Sequence, residues 1–295
     1  MSKVQKALRW AIIGVGTAGR ARARAIQRDP RSEIVAVHRG RHAADTGAEQ
    51  MPFDEAVAAA DVVAICAPDS LHRSMVETVL RAGKHVLVEY PIAQTTAEAE
   101  GLFALADEVD RVLHVEHIEL LHAPQQILRA HARKALQQRM KITFERQGSG
   151  TESATEITQT NIARLHRLVD IGGPVASIEK VAISAGRLAA EVTFETGIFG
   201  SLDFQAGPYF SRQTQFEVDA TAHIWKLHNQ ALYRDRAPLT TMEHTPLFEQ
   251  DHLAACAQIL DGRKPYVERG RILHVLDLAT QLAANTLGPV PVRGW

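Results

Sequence analysis

The first part of the chain alternates short apolar runs with amphipathic stretches. The runs "AII", "IVAV", "VVAI", "VLV" and "VLHV" each suit one buried strand, and helical patterns lie between them. In the first helical pattern, residues 18–27, apolar side chains share one face and arginines the other. Strands that alternate with helices predict a parallel sheet covered on both faces. We therefore expect a doubly wound α/β domain over residues 1–118.

Residues 119–295 follow a different pattern, which indicates a second domain. Strand-like stretches separated by glycine or polar turns are typical of an antiparallel sheet. These stretches are 177–186, 188–197, 199–207 and 214–228, and an earlier strand from residue 139 leads into a polar loop at 149–156. Helical patterns occur at 120–136, 160–173, 248–262 and 268–287. We expect an α/β domain with a large, mainly antiparallel sheet.

Composition narrows the class of protein. The chain has 295 residues, of which 45% are hydrophobic and 23% charged, as in globular proteins, and its net charge of −1 does not favour a nucleic-acid partner. No apolar stretch approaches the ~20 residues that cross a bilayer, so we expect no membrane association. Cys66 and Cys256 show neither a metal-site spacing nor a disulfide framework, which favours a cytoplasmic location.

A glycine-rich turn follows the first predicted strand. Gly14, Gly16 and Gly19 match G-x-G-x-x-G, and the next helix begins inside the motif at Thr17 and Ala18. The first glycine permits the turn, the second lets backbone approach a pyrophosphate, and the third lets helix and strand pack closely. The position between a strand and a helix is the context that this motif requires. We predict that these five residues bind a dinucleotide in a Rossmann domain.

The end of the second strand indicates which dinucleotide binds. A carboxylate there would bond the ribose 2′-hydroxyl of NAD, but the strand ends in "AVHRGRH" with Arg39 and Arg41. Guanidinium groups suit a 2′-phosphate. We therefore predict NADPH as the cofactor, with NADH still compatible, and the alternative is a solvated pair of loop arginines.

Several stretches resemble known enzymes. "APDSLH" (67–72) and "GKHVLVEYP" (83–91), following the glycine turn, are similar to the glucose–fructose oxidoreductase and inositol dehydrogenase superfamily. The latter stretch, together with "VLHVEHIELL" (112–121), "ARLHRLVDIGG" (163–173) and "RILHVLDLA" (271–279), resembles the biliverdin reductase A family. That resemblance implies a Rossmann domain plus an α/β domain with a large antiparallel sheet. It also implies NAD(P)H-dependent hydride transfer to the C10 methine of biliverdin IXα, which gives bilirubin IXα.

Tyr90 stands where the superfamily carries a lysine. A buried lysine with a lowered pKa can move a proton on or off a sugar hydroxyl, whereas tyrosine has an ordinary pKa of ~10. The missing lysine therefore argues against alcohol oxidation. Reduction of a conjugated pigment mainly requires that nicotinamide and methine carbon be held together. We predict that Tyr90 packs against the pigment or donates a hydrogen bond to it, and the alternative is a buried structural tyrosine.

Arg164 and Arg167 are three residues apart on a predicted helix and share a face. We predict that they bind the propionates of biliverdin and act in catalysis. The resemblance puts Arg164 beside the pyrrole nitrogens as a proton source. Because an arginine stays protonated, we favour a solvent proton passed near Arg164, which would itself orient the pigment. The alternative is two exposed helix arginines, and Arg187 and Arg212 are weaker candidates for the propionates.

The remaining candidates lie at strand ends, where ligands bind in such sheets. Ala67, His72 and Glu89 are predicted cofactor contacts by the resemblance, and Glu116 and His117 are predicted substrate contacts. Structural roles for His72, Glu89 and Glu116 are equally open. H-x-E-H on a strand is not the H-E-x-x-H motif of a helix, so we predict no metal site.

Three functions remain in competition. The first is biliverdin reductase, the second a sugar- or polyol-type oxidoreductase of the same superfamily, and the third a non-catalytic NADP-sensing regulator. We favour a monomer, and a dimer through the open sheet is the alternative.

Overall fold

The computed structural model describes residues 7–132, 137–220, 223–239 and 246–294. Contacts between residues divide the chain into two units. The first unit comprises Met1–Ile118 and Thr245–Glu268, and the second comprises Glu119–His244 and Arg269–Trp295. The single boundary that we expected at residue 118 therefore needs a correction, because the chain returns to the first unit over 245–268. None of the helices in the described ranges has the length and apolar character that crossing a bilayer requires.

A six-stranded parallel sheet forms the centre of the first unit. Its strands are β1 (Leu8–Ile13), β2 (Ser32–His38), β3 (Glu49–Gln50), β4 (Val62–Ile65), β5 (His85–Val88) and β6 (Leu113–Val115). Its α-helices are α1 (Thr17–Arg28), α2 (Phe53–Ala59), α3 (Asp69–Arg81), α4 (Thr96–Glu108) and, later in the chain, α9 (Leu247–Asp261). The strand order is β3-β2-β1-β4-β5-β6. This order reverses between β1 and β4, and sheets of this kind bind dinucleotides at that point.

The helix α9 explains why residues 245–268 belong to the first unit. It packs against α1, and Ala255 and Cys256 join Trp10, Ala23 and Ile26 in one buried apolar cluster. Burial of such side chains contributes roughly 25 cal/mol per Å² of apolar surface. An apolar helical pattern at 248–262 predicts a helix correctly, but it does not predict which sheet that helix covers.

The second unit contains a nine-stranded sheet. Its strands are β7 (Gln137–Gln147), β8 (Val175–Ser184), β9 (Arg187–Phe194), β10 (Phe199–Gly207), β11 (Gln213–Ala220), β12 (His223–His228), β13 (Ala231–Arg234), β14 (Ala237–Leu239) and β15 (Gly288–Pro289). Its helices are α5 (Ile118–Leu121), α6 (Ala123–Ala132), α7 (Ala154–Thr160), α8 (Ile162–Gly172) and α10 (Arg269–Ala283). The order is β14-β13-β12-β11-β7-β10-β9-β8-β15, and only the pair β7–β10 is parallel among the described pairs. The prediction of a mainly antiparallel sheet is confirmed.

Two details of the second unit differ from the predicted elements. The stretch 214–228 forms two antiparallel strands, β11 and β12, instead of one. The predicted polar loop at 149–156 contains the start of α7, where Ser153 and Glu156 form a capping box. Serine three residues before glutamate is a helix-start pattern that our interpretation of this stretch missed.

The nine-stranded sheet has two unlike faces. Side chains alternate along β9 and β10, so that every second residue is buried. The buried face carries Phe144, Phe204 and Phe216, and α7 and α8 pack on strands of this sheet. Arg164 and Arg167 lie on α8, and their environment therefore includes aromatic rings of this face.

Candidate active site

The glycine turn has the geometry that a dinucleotide site requires. Gly14 has φ +91°, and a Cβ there would lie 2.6 Å from the carbonyl oxygen of Cys66. A Cβ on Gly19 would lie 2.2 Å from the carbonyl oxygen of Gly14. A Cβ on Gly16, in contrast, would meet nothing within 4 Å, so open space lies beside this part of the backbone. Two of the glycines are thus required by packing, and Gly16 leaves space for a ligand.

The first helix presents its N-terminus at this turn. Gly16 is the N-cap residue of α1, and no side chain caps the helix. The first amide groups of a helix lack partners within the helix and favour an anion. The turn and the start of α1, at Thr17 and Ala18, therefore fit the pyrophosphate of a dinucleotide.

The segment after β2 is fixed to the glycine turn through its backbone. The carbonyl oxygen of Arg39 accepts a hydrogen bond of 2.8 Å from the backbone N–H of Val15. Arg39 has φ +53°, and both Arg39 and Arg41 are exposed. Two guanidinium groups are therefore available at the end of β2, as a cofactor with a 2′-phosphate requires.

His72 has a structural role, which the sequence left open beside a cofactor contact. Its ring is fully buried, with Nδ1 2.8 Å from the carbonyl oxygen of Pro91 and Nε2 2.8 Å from that of Ala67. Both ring nitrogens are held by backbone, so the imidazole links the segment after β4 to the segment after β5. Ala67 itself is half-buried and borders Gly14.

A buried guanidinium organises the carboxyl ends of the strands. Arg22 has no exposed surface, and its Nη1 is 2.6 Å from Asp251 Oδ2 while its Nη2 is 3.5 Å from Glu89 Oε1. Burial raises the pKa of Asp251, but the charges of Arg22 and His114 outweigh burial and hold that pKa far below its usual range. Asp251 is therefore the carboxylate that balances the charge of Arg22.

The carboxyl groups of Glu89 and Glu116 interact beside this cluster. Glu116 Oε1 also accepts a bond of 2.6 Å from the backbone N–H of Ile118. Burial, and then the charges of Glu89 and Asp251, raise the pKa of Glu116 well above its usual range, and burial raises that of Glu89. Burial and the neighbouring carboxylates thus both favour the protonated form of Glu116.

Histidines and tyrosines fix the ends of β5 and β6. His114 Nε2 is 2.8 Å from Asp251 Oδ1, and the hydroxyl of Tyr266 donates to the same oxygen at 2.6 Å. The backbone N–H of His117 donates to Tyr266 at 2.8 Å. The imidazole of His117 stacks on the half-buried ring of Tyr90, with 5.9 Å between ring centroids. Tyr90 is thus held in place from one side by His117.

In the second unit, Arg164 and Arg167 lie on α8 and are buried, which contradicts the alternative of exposed helix arginines. The guanidinium carbon of Arg164 lies 4.2 Å from the ring centroid of Phe144, and that of Arg167 lies 4.5 Å from that of Phe216. Glu119 is their shared counter-ion, at 3.5 Å from Arg164 and 3.6 Å from Arg167. Cation–π contact and a carboxylate together keep two charges in a largely apolar environment.

A second ion-pair cluster anchors α8. Asp170 is fully buried and accepts from Arg271 at 2.9 Å, Arg129 at 3.1 Å and Gln125 at 3.0 Å. Arg271 also donates to the backbone carbonyl of His166 at 3.0 Å. These bonds fix the position and rotation of α8, and with them the direction of its arginine face.

The two weaker candidates for binding the propionates, Arg187 and Arg212, lie in different environments. Arg187 forms a bidentate pair with Asp203, at 2.9 Å for both bonds, on the face of the sheet opposite Leu188 and Leu202. It is therefore not part of the arginine cluster on α8. Arg212 is exposed, but its Nη2 lies 4.0 Å from Glu119, so it does border that cluster.

Away from the strand ends, Asp29, His252 and Cys256 each place a potential metal ligand within 4.8 Å of the others. Asp29 already accepts two bonds from the Arg31 guanidinium, at 3.0 and 2.9 Å, whose positive charge opposes a cation. Burial raises the pKa of Cys256 to about 11, which disfavours the thiolate that a metal requires. We assign no metal to this group.

Our sequence interpretation missed Arg22, Asp251 and Glu119. Arg22 appeared as one of the polar-face arginines of the first helix, since nothing local indicates that α9 covers it. Glu119 follows His117 by two residues, and its position just after a strand end was a usable signal.

Residues 8–117 match the protein-family model described as "Oxidoreductase family, NAD-binding Rossmann fold". Residues 8–117 of the first unit are thus similar to the NAD-binding Rossmann domain of this oxidoreductase family. The region that matches the family model includes the glycine turn, Arg22, the Glu89–Glu116 pair and Tyr90, but no residue of α8.

Curated proteins with similar sequences match the same region. Biliverdin reductase A of Mus musculus is 41% identical over 117 residues, which are 37% of this chain and 39% of that protein. The Homo sapiens protein is 37% identical over 117 residues, 37% of this chain and 40% of that protein. UDP-N-acetylglucosamine 3-dehydrogenase of Acidithiobacillus ferrooxidans is 33% identical over 127 residues, 41% of each. This chain thus spans about two fifths of the length of these relatives.

Solved structures resemble both units. A biliverdin reductase from Synechocystis sp. PCC 6803, in complex with biliverdin and NADP+, aligns with a TM-score of 0.82 at 23% identity, covering 95% of this chain and 99% of the other. The Acidithiobacillus ferrooxidans dehydrogenase aligns with a TM-score of 0.81 at 19% identity, covering 95% and 97%. Similarity at this level of identity establishes the two-unit fold.

Proposed function

We propose that this protein is an NADPH-dependent reductase of a linear tetrapyrrole dicarboxylate, with biliverdin IXα as its substrate. A hydride adds to the C10 methine carbon and a pyrrolic nitrogen gains a proton, which yields bilirubin IXα. The bound dinucleotide supplies the hydride.

The observation that carries this proposal is the tyrosine at position 90. In the described part of the first unit the lysines are Lys84 and Lys264, and Lys84 donates to the carbonyls of Ala58 and Ala60, at 3.2 and 2.6 Å, next to the start of β5. The ammonium group of Lys84 therefore does not serve the end of β5, where Tyr90 lies. A substrate whose reduction requires no hydroxyl proton exchange suits this arrangement.

The second unit supports the same substrate class. Arg164, Arg167 and Arg212 each form an ion pair with Glu119, so three guanidinium groups converge there. A substrate that carries two propionates complements such a group of cations. We infer that Arg164 orients the pigment and stabilises negative charge that develops on it, with Arg167 beside it, and that the proton comes from solvent.

The first unit supplies the other roles in the proposal. Gly14, Gly16, Thr17, Ala18 and Gly19 hold the pyrophosphate, Arg39 and Arg41 hold the 2′-phosphate, and Ala67 and Glu89 border the cofactor. Tyr90, Glu116 and His117 contact the pigment. The similarity of this unit to the mouse and human biliverdin reductases A supports these assignments.

We further propose a cytoplasmic monomer with no nucleic-acid or membrane partner. The two cysteines are free thiols, as is usual in a reducing compartment. On the outward face of the large sheet, Glu217 stands in register with Lys141 on one side and Lys226 on the other. Burial of this charged row in a dimer would cost desolvation free energy. Sedimentation velocity at micromolar concentration tests this statement, and a concentration-dependent dimer would contradict it.

The test of the reaction is an absorbance scan of the protein with biliverdin IXα and NADPH, then with NADH. We expect the red biliverdin band to decrease while a bilirubin band grows, faster with NADPH. Arg164→Ala should lower kcat by about a hundredfold while NADPH affinity changes less than about twofold. Arg187→Ala, on the opposite sheet face, is the matched control. Unchanged turnover in Arg164→Ala would remove the site assignment.

A sugar-type oxidoreductase is the second candidate, because the first unit is also similar to a UDP-N-acetylglucosamine 3-dehydrogenase. Reduction of NAD(P)+ in the presence of nucleotide sugars or polyols would favour it. We expect no such reduction, since the end of β5 carries Tyr90 instead of a lysine.

A further inference from the structure

The second unit contains a cavity beside Arg164. Its volume is about 400 Å³. The residues that line it are Phe144, Arg146, Gln147, Thr160, Arg164, Phe210, Ser211 and Arg212. They come from β7, from the ends of α7 and α8, and from the segment after β10, so parts of the chain distant in sequence build it.

The charge of this lining is positive. It includes three arginines, and none of its described residues is acidic. The arginines differ in exposure: 6% of the Arg164 side chain is accessible, 24% of Arg146 and 72% of Arg212. The cavity therefore has one buried cation at its inner side, one half-buried cation on its wall and one exposed cation.

The counter-ions of these arginines are loosely held. Arg146 lies 3.6 Å from Glu152, Arg164 3.5 Å from Glu119, and Arg212 4.0 Å from Glu119. Charge-assisted hydrogen bonds between guanidinium and carboxylate are usually about 2.7–2.9 Å long. The ion pairs of Arg146 and Arg212 are thus longer than direct charge-assisted hydrogen bonds, and a better-placed anion would form shorter bonds with these two guanidinium groups.

The walls of the cavity are aromatic. The guanidinium of Arg164 packs over the ring of Phe144, and the ring of Phe210 also lines the cavity. An anion on a short apolar arm suits such walls, because its methylene groups pack on the rings while its charge meets the arginines. A pocket of a few hundred Å³ also accommodates the ring that bears the arm.

We propose that this cavity is a subsite for one carboxylate side chain of the substrate and that Arg146 is its specificity-determining residue. The inference rests on the proposed function, since it assigns the place of one propionate of the tetrapyrrole. Arg146 reaches the cavity from β7, two residues after Phe144 and on the same side of the strand. Arg164 and Arg212 complete the anion site.

The experiment compares biliverdin IXα with its dimethyl ester, which has the same chromophore but no propionate charge. Dissociation constants of both are measured by absorbance titration, with NADP+ bound, for the wild type, Arg146→Gln, Arg146→Lys, Arg212→Gln and the control Arg187→Gln. NADPH affinity is measured in parallel, because the 2′-phosphate of the cofactor is the other anion in the system.

We expect the wild type to bind the diacid about tenfold or more tightly than the ester. Arg146→Gln should weaken diacid binding about tenfold to hundredfold and leave ester and NADPH binding unchanged. Arg146→Lys should recover part of the loss, since it keeps the charge but not the bidentate fork. Arg212→Gln, at an exposed position, should weaken diacid binding about threefold, and Arg187→Gln should leave diacid binding unchanged.

The results that would contradict the subsite can be distinguished from those that would contradict the proposed function. If the wild type binds diacid and ester equally, or Arg146→Gln weakens both equally, the subsite is wrong while the proposed function stands. If weaker NADPH binding accompanies the Arg146 substitution, the anion is the cofactor phosphate and the subsite is also wrong. If the wild type binds neither pigment, the proposed function fails and the subsite with it. Should Arg146→Gln not fold, Arg146→Lys provides the comparison of diacid with ester at the same residue, and equal changes for both would overturn the subsite.

Discussion

Replacement of Arg22 by methionine tests the buried charge cluster of the first unit. In the wild type, Asp251 Oδ2 lies 2.6 Å from the Arg22 guanidinium. Methionine keeps an apolar chain of similar length, but it leaves Asp251 as a fully buried carboxylate without that guanidinium. Removal of one partner of a buried ion pair typically costs about 3–5 kcal/mol. The variant can limit this cost if Asp251 takes up a proton. At pH 7, protonation of a group with an ordinary pKa of ~3.9 costs about 1.36 × 3.1, or roughly 4 kcal/mol.

We therefore expect Arg22→Met to lose about 3–4 kcal/mol of unfolding free energy at pH 7. The assay is urea unfolding followed by circular dichroism, where an m-value of about 2 kcal/mol/M converts this loss to a midpoint shift of roughly 2 M. Arg28→Met is the matched control, because Arg28 lies on the same helix and pairs with Glu249 of α9, but at the surface. Surface pairs contribute about 0–1 kcal/mol.

The pH dependence of the loss is the sharper criterion. In the variant the folded state holds a proton on Asp251 that the unfolded state has lost above its ordinary pKa, so its stability falls as pH rises relative to the wild type. The cost of protonating Asp251 falls to about 1.36 × 1.1, or roughly 1.5 kcal/mol, at pH 5, so the loss should be smaller there than at pH 7. A loss below about 1 kcal/mol at pH 7, or a loss equal at pH 5 and pH 7, would refute the assignment of Arg22 as the counter-ion.

Two further substitutions test the cofactor specificity and the carboxyl pair. Arg39→Ala should weaken NADPH binding about tenfold and NADH binding hardly at all, as measured by fluorescence titration, and equal losses would remove the 2′-phosphate argument. Glu116→Gln imitates the protonated acid. Because burial raises the folded-state pKa of Glu116, the wild type loses stability as pH rises from about 4 through that pKa, and the variant lacks this component. Unfolding temperatures from pH 5 to 9 should favour the variant increasingly, and parallel curves would contradict a raised pKa.

Most of the first unit was predictable from sequence, because its determinants are local. Each strand is one apolar run, each helix has its own apolar face, and the glycine motif requires a particular turn over six residues. The predicted parallel sheet was therefore confirmed. In the second unit the strands alternate in the same local way, but the hairpin within 214–228 and the helix starting at Ala154 depended on turn and capping signals that were weaker.

The residues of the candidate site also differ in how far local sequence predicts them. Sequence determined the glycine turn, the arginines after β2, Tyr90 before Pro91 and the pair Arg164 and Arg167, since each is a short motif.

Only the tertiary structure decided what these residues contact. Arg22 meets Asp251 because α9 returns to the first sheet, and Glu119 meets three arginines because α5, α8 and the segment after β10 converge. Contacts of this kind join residues far apart in the chain. They depend on which apolar faces bury each other, and no local pattern encodes that choice.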